Sequence, residues 1–247
     1  MAPLEPPTEV ADGVHRCGSK RVNWYLVEGT DELTVVDTGL PAHSGQLVER
    51  LDALGYDGSD VAACLLTHAH PDHIGFAQRL HESADVPVWL HEAGVERARE
   101  GGDPPLSGFV KNLWRPAVLR YFVETVRSGG TSIPPLTVVE TFADGDELDV
   151  PGRPQVVHVP GHTEDEVAFY LPDRDVLLCG DAFATVDFET WQGHAPRLLP
   201  DWLDVDHEQA RESITQLESL GEVVLLPGHG DPWIGRTADA IRRAHER

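Results

Sequence analysis

The stretch Thr67-His68-Ala69-His70-Pro71-Asp72-His73-Ile74-Gly75 contains four side chains able to bind a metal ion, and they span only six positions. An apolar run at residues 61–66 precedes this stretch and predicts a buried strand. Pro71 and the apolar side chains that follow it predict a loop leading into a helix. The sequence therefore puts these side chains at the carboxyl end of a strand, where α/β sheets usually carry their chemistry.

The spacing within this stretch favours two adjacent metal ions. His68 and His70 are two residues apart in extended backbone and can point the same way, whereas Asp72 and His73 follow the turn and should point elsewhere. Because a tetrahedral ion takes about four ligands, each half of the stretch would serve its own ion. A polar helix start, with Asp72 as the cap, is the simpler alternative. It would explain Asp72 but not three histidines beside a strand end.

The pattern His68-x-His70-x-Asp72-His73 resembles the signature of the metallo-β-lactamase superfamily. Three later segments follow in the order that this family has: Gly161-His162-Thr163, Gly180-Asp181 and Pro227-Gly228-His229-Gly230. The resemblance runs from about residue 14 to the last predicted helix. Two strand-rich halves, each closed by helices, predict the same α/β architecture, a four-layer αββα sandwich of two mixed sheets with helices outside.

The resemblance also implies a ligand set for two divalent ions. The first ion would be held by His68, His70 and His162, the second by Asp72, His73 and His229, with Asp181 bridging both. Histidine and aspartate ligands suit zinc, which is the first choice, and also accept manganese or iron. The family's frequent Gly-His-Thr-Pro-Gly is Gly161-His162-Thr163-Glu164-Asp165 here, so the loop beside His162 differs.

Two further roles follow from the resemblance. Asp72 is the candidate catalytic residue, passing a proton to the leaving group, although it could serve only as a ligand. Asp37 ends another predicted strand. The family places an aspartate there behind the metal loop, which is the stretch at residues 67–75 here, and this aspartate would fix the tautomer of a ligand histidine. A turn aspartate is the alternative for Asp37.

Composition sets the remaining limits. The 247 residues suffice for one large α/β domain, expected at residues 13–247 after a disordered lead-in at residues 1–12. No apolar run is long enough for a membrane span and no signal peptide is visible, so we expect a cytoplasmic protein with no membrane partner. The formal charge of −23 repels phosphate backbones, which argues against a nucleic-acid partner.

Residues 101–135 predict a helical insertion between glycine- and proline-rich hinges, acting as a lid or pocket wall. An ordinary helix packed on the sheet, or a homodimer contact, is the alternative. Aromatic side chains in this insertion and after Asp181 predict a pocket for a small-molecule substrate with an apolar part. The candidate pocket residues are Trp114, Tyr121, Phe183, Trp191 and His194.

Hydrolysis of an ester, lactone or thioester by a hydroxide that bridges the two ions is the leading interpretation. A thioesterase resembling hydroxyacylglutathione hydrolase is an alternative, but that family carries a longer helical region after its last ligand. A mononuclear iron oxygenase resembling persulfide dioxygenase is another, and it would use only His70, His162 and Asp181. A non-catalytic binding module would leave the complete ligand set unexplained.

Overall fold

The computed structural model describes residues 7–102 and 106–246 of the chain. Seven strands of this part form one sheet in chain order: β1 (Thr8–Ala11), β2 (Val14–Gly18), β3 (Asn23–Glu28), β4 (Leu33–Val36), β5 (Val61–Leu65), β6 (Val88–His91) and β7 (Glu140–Phe142). The strands pair antiparallel from β1 to β4 and parallel from β4 to β7, so the sheet is mixed.

A second sheet contains the later described strands: β8 (Gln155–His158), β9 (Val167–Leu171), β10 (Val176–Gly180), β11 (Glu222–Pro227) and β12 (Trp233–Arg236). Their spatial order is β12-β11-β10-β9-β8. β10 and β11 are parallel and the other neighbours are antiparallel. The second sheet is therefore mixed as well.

Helices cover the outer faces of both sheets. The described α-helices are α1 (Ser44–Leu54), α2 (Ala77–Ala84), α3 (Val95–Arg99), α4 (Leu106–Asn112), α5 (Pro116–Arg127), α6 (His207–Ser213) and α7 (Thr237–His245). Trp24 of the first sheet packs with the residues of α1 and α2 in one core, and Leu177 of the second packs with α7 in another. Phe169 lies in a third core, between the sheets. This arrangement confirms the predicted αββα sandwich. No helix in the described ranges is long and apolar enough to cross a membrane.

One sequence prediction about local structure is wrong. The predicted disordered lead-in extends too far, because Thr8–Ala11 forms an edge strand paired with β2. The residues of this strand are exposed or half-buried, and the strand lacks the apolar alternation of a core strand, which is why the sequence did not reveal it. Residues 1–6 lie outside the described part. Residues 147–150 form no regular strand: Glu147 makes a single bridge with Gln155, and Pro151 and Gly152 turn the chain back between them.

The ends of several strands converge on one edge of the sandwich. β5 ends just before the stretch at residues 67–75, β10 ends just before Asp181, and β11 leads into Gly228 and His229. The segment 101–135 contributes α4 and α5 beside this edge; its residues 103–105 lie outside the described part. Side chains from both sheets and from this segment can therefore reach one site.

Candidate metal centre

The seven predicted ligands lie together at this shared edge, and all of them are buried. Their donor atoms form overlapping groups that could hold a metal ion. We call His68, His70 and His162 the first donor set. Asp72, His73 and His229 form the second donor set, and Asp181 lies between the two. The residues that the sequence groups by motif are thus also grouped in space.

Three ring nitrogens of the first donor set point at one another. His70 Nδ1 lies 3.0 Å from His68 Nε2 and 3.0 Å from His162 Nε2. Two donors bound to one tetrahedral ion at ~2.0–2.1 Å are separated by roughly 3.3 Å. The three nitrogens are therefore close to the spacing that one ion requires.

The second donor set is somewhat wider. Asp72 Oδ2 lies 3.5 Å from His229 Nε2 and 3.9 Å from His73 Nε2. Asp181 reaches both sets: its Oδ2 lies 3.2 Å from His229 Nε2 and 3.4 Å from His162 Nε2, and its Oδ1 lies 3.5 Å from His73 Nε2. Asp181 therefore has the position that a bridging ligand needs.

Two buried polar atoms at the centre support the fit to metal ions. His73 Nε2 and Asp181 Oδ1 have no hydrogen-bond partner among the described residues, although both side chains are almost fully buried. Leaving a buried polar atom unpaired costs about 1–3 kcal/mol. A cation between these atoms would satisfy both, so the residues present fit the group that the donor chemistry implies.

Side chains behind the first and second sets fix the ring tautomers. Asp37 Oδ2 accepts a hydrogen bond from His73 Nδ1 at 2.8 Å, which is the contact expected for Asp37. The Thr67 hydroxyl donates its single hydrogen to Asp37 and can only accept from His68 Nδ1, 3.1 Å away. Both histidines therefore carry a hydrogen on Nδ1, which leaves Nε2 as the ring atom that faces the centre.

The histidines that come from the second half of the chain are held in the same way. His162 Nδ1 donates to Asp204 Oδ1 at 3.0 Å, and the other oxygen of Asp204 accepts from His207 at 2.6 Å. His229 Nδ1 donates to the backbone carbonyl of Arg21 at 2.6 Å. Metal-binding histidines almost always have such a partner on the second ring nitrogen.

The electrostatics of the two donor sets differ. Burial and the neighbouring histidines hold the pKa of His68 and of His70 well below the usual value, so both rings are neutral. Burial also opposes protonation of His73 and His229, but nearby carboxylates raise the pKa of both. Although burial opposes its ionisation, Asp181 has a pKa held well below the usual value by His229 and His73. A metal cation bound at the second donor set would displace any proton from the Nε2 atoms of His73 and His229.

A cavity of about 190 Å³ opens onto the centre. His70, Asp72, His162, Asp181 and His229 form its floor. Its walls are mostly apolar and come from α4, α5 and the segment after Asp181: Phe109, Tyr121, Phe122, Val126, Phe188 and Leu203. A pocket of this kind suits a substrate with an apolar part.

The pocket residues predicted from sequence are placed unevenly. Tyr121 lines the cavity, and Trp191 stacks on it with ring centres 5.9 Å apart without lining the cavity itself. The prediction is wrong for the other three. Phe183 is buried in the core beneath α7, Trp114 is 73% exposed, and the His194 side chain is 81% exposed beside Asp231. Aromatic composition gave no information on which way these side chains face.

Several residues of the site were not predicted. Asp204 lies far from any motif, and nothing in its sequence context distinguishes it. Asp165 and Glu166 contact the loop at residues 67–75, and the run of three acidic residues at 164–166 is the sequence feature that could have identified them. Phe122 and Phe188 line the cavity, and their positions within aromatic segments were the signal available for them.

Comparison with known proteins identifies the chain's relatives. The family model described as the metallo-beta-lactamase superfamily matches residues 18–229. "Probable metallo-hydrolase YflN" of Bacillus subtilis is 29% identical over 245 residues, covering 92% of this chain and 88% of that protein. "Hydroxyacylglutathione hydrolase GloC" of Haemophilus influenzae is 26% identical over 207 residues, covering 79% of each. The crystal structure of TTHA1623 in a di-iron-bound form is similar with a TM-score of 0.61 and 28% identity, covering 88% of this chain and 91% of that one.

Proposed function

Because this chain belongs to the metallo-β-lactamase superfamily, we propose that it is a hydrolase that uses two divalent metal ions to cleave an ester, lactone or thioester. The observation that carries the proposal is the pair of donor sets sharing Asp181, each with three side chains. Histidine and carboxylate donors favour zinc, and they also accept manganese or iron. A single-ion oxygenase would leave the second donor set without a role.

The ligand assignment follows the donor sets. His68, His70 and His162 would hold the first ion, and Asp72, His73 and His229 the second, with Asp181 between them. When bound, two such ions supply a nucleophile from water near neutral pH and polarise the substrate carbonyl. Asp37 and Asp204 contribute by holding His73 and His162 in the tautomer that leaves Nε2 free.

Asp72 is the candidate for moving a proton to the leaving group. It lies on the cavity floor, and its Oδ2 accepts a hydrogen bond from the Tyr121 hydroxyl at 2.6 Å. A proton carrier must lie within hydrogen-bond reach of the group that it serves, and Asp72 faces the space where a substrate would lie. Tyr121, which also lines the cavity, holds this carboxylate through that hydrogen bond.

The cavity walls support a substrate with a neutral, apolar part. Among the described residues that line the cavity there is no lysine or arginine. Glutathione carries two free carboxylates, and such a lining offers them no cation. The likeness to GloC keeps glutathione thioesters as a second candidate. Esters and lactones with an aliphatic or aromatic chain fit the lining better.

The test is metal content followed by a substrate panel. We expect about two zinc or manganese ions per chain in protein purified without added metal. Activity on neutral esters, lactones or thioesters should disappear on chelation and in His70→Ala, whereas His194→Ala should retain it. One iron per chain, with oxygen uptake on a persulfide and no hydrolysis, would replace this proposal with the oxygenase. Absence of bound metal would overturn both.

A further inference from the structure

Two acidic residues beside His162 reach across to the loop that carries His68 and His70. Asp165 and Glu166 are both fully buried. Asp165 stands where the family frequently has the glycine of Gly-His-Thr-Pro-Gly, and Glu166 follows it. Because a buried carboxylate is costly unless it is paired, two of them in succession need a structural reason.

Asp165 fastens the backbone of the metal loop. Its Oδ2 accepts a hydrogen bond from the N–H of Ala69 at 2.9 Å, and Ala69 lies between two ligands of the first donor set. Its Oδ1 pairs with the Arg97 guanidinium of α3 at 2.8 Å. A Cβ atom on Gly94 would lie 2.1 Å from Asp165 Oδ2, so a glycine at that position leaves room for the carboxylate.

Glu166 touches ligands that come from both sheets. Its Oε1 accepts a hydrogen bond from the backbone N–H of Asp181 at 3.0 Å. Its Oε2 lies 3.1 Å from His68 Nδ1 and has no well-formed hydrogen bond among the described residues. A Cβ atom on Gly180 would lie 2.3 Å from Glu166 Oε1, so a glycine at this position leaves room for the carboxylate. The segment is anchored further by the Val167 N–H, which donates to the Thr67 carbonyl at 3.0 Å.

We propose that Glu166, held beside the metal loop by Asp165, is a positioning residue that orients His68 toward the first metal ion. Its Oε2 faces His68 Nδ1 beside the Thr67 hydroxyl, and an acceptor oxygen at this place favours a ring with its hydrogen on Nδ1 and its lone pair on Nε2. Through Asp181 the same carboxylate links a ligand that follows β5 to one that follows β10. The proposal rests on the ligand role of His68 in the proposed function.

Replacing Glu166 with glutamine tests the proposal with little change of shape. An amide has one acceptor oxygen and one donor nitrogen. If the amide oxygen keeps the hydrogen bond from the Asp181 N–H, the NH₂ group faces His68 Nδ1. It then favours the tautomer with the ring hydrogen on Nε2, which cannot bind a metal ion through Nε2. We expect Glu166→Gln to weaken zinc binding at the first set by about 10- to 100-fold and to leave the second ion in place. Competition with a coloured chelator measures the zinc affinity of each of the two sites.

Glu164→Gln is the matched control, because Glu164 belongs to the same loop but its partly exposed carboxylate pairs with Arg97 and touches no ligand. It should bind both ions as wild type does. In metal-free protein, nitrogen NMR should find the His68 hydrogen on Nδ1 in wild type and shifted toward Nε2 in Glu166→Gln. The unfolding midpoint of the metal-free variant should not fall, because glutamine fills the same space and can keep the hydrogen bond from the Asp181 N–H.

The outcomes separate this inference from the proposed function. Two zinc ions bound with unchanged affinity by Glu166→Gln, or an unchanged His68 tautomer, would overturn the positioning role while leaving the hydrolase intact. An equal loss of both ions together with a lower midpoint would also overturn it, because that result indicates general disruption. A wild-type protein that binds no zinc, manganese or iron would overturn the proposed function and this inference together.

Discussion

The hydroxyl group of Tyr121 donates a hydrogen bond to Asp72 Oδ2 over 2.6 Å. Tyr121 belongs to α5, and Asp72 belongs to the second donor set, so the segment at residues 101–135 reaches the candidate metal centre directly. Burial and the charge of Asp72 raise the pKa of Tyr121 well above its usual value. The hydroxyl therefore keeps its hydrogen at neutral pH and acts as a donor to this carboxylate.

Tyr121→Phe should lower kcat/KM by about 10- to 100-fold, since a hydrogen bond to a charged group contributes roughly 1.5–3 kcal/mol. The phenyl ring fills the same space, so metal content should stay at the wild-type value. Tyr170→Phe is the control, because Tyr170 makes a similar contact with Asp175 far from the centre. Steady-state kinetics and metal analysis on the three proteins check the prediction. Equal activity in wild type and Tyr121→Phe would show that Asp72 needs no support from α5.

The sequence was sufficient to predict the cluster of donor side chains because each of them directly follows an apolar strand or sits in a short motif. Strand ends of a sandwich meet at one edge, so His68, His162, Asp181 and His229 could be placed together without knowing their contacts. Asp204 could not be found in this way. It reaches His162 from a segment whose path depends on the packing of the loop after Asp181, and local spacing carries no information about that packing.

The direction of aromatic side chains was the weakest part of the sequence prediction. Phe183 and Phe188 lie five residues apart in one aromatic segment, yet Phe183 is in the core beneath α7 and Phe188 lines the cavity. Irregular backbone has no fixed period, so neither the helical nor the strand repeat assigns a face to these residues. Trp114 is exposed for the same reason, because it falls in the turn between α4 and α5.

Phe122→Ala should selectively impair substrates with a long apolar chain. Phe122 lines the cavity, and losing part of its contact area should cost about 1–2 kcal/mol, or roughly 5- to 30-fold in kcat/KM for a long-chain ester relative to a short one. Trp114→Ala removes a larger aromatic side chain from the same segment but outside the cavity, so its chain-length profile should match wild type. A homologous series of esters measures this. Identical profiles for all three proteins would place the substrate chain elsewhere.

Removing metal should lower the stability of the protein. Ligands that bind only the folded state add stability of about 4 kcal/mol when their concentration is 1,000 times Kd. We therefore expect zinc to raise the unfolding midpoint of metal-free protein. The rise should be smaller in His229→Ala, which loses part of the second set, and unchanged in His194→Ala, whose side chain is 81% exposed. A midpoint insensitive to zinc in wild type would contradict the two donor sets as ion sites.

His43 should make the metal-free protein less stable in acid. Burial lowers the pKa of His43 from 6.5 to about 4, with Asp72 opposing the shift, and its Nδ1 accepts a hydrogen bond from the Leu40 N–H. The unfolded chain therefore binds more protons than the folded one between pH 6.5 and pH 4. The contribution of His43 is fully present above pH 6.5 and declines as pH falls toward 4, by about 2 kcal/mol between pH 7.5 and pH 5.

His43→Asn should remove this part of the pH dependence. The asparagine side-chain oxygen can take the place of Nδ1 as acceptor for the Leu40 N–H, and it does not titrate. Urea unfolding in a chelator at pH 7.5 and pH 5 should give a loss of stability that is about 2 kcal/mol smaller in His43→Asn than in wild type. His194→Asn removes an exposed histidine and should lose as much as wild type. Equal losses in all three proteins would mean that His43 is protonated as readily in the folded protein as in the unfolded chain.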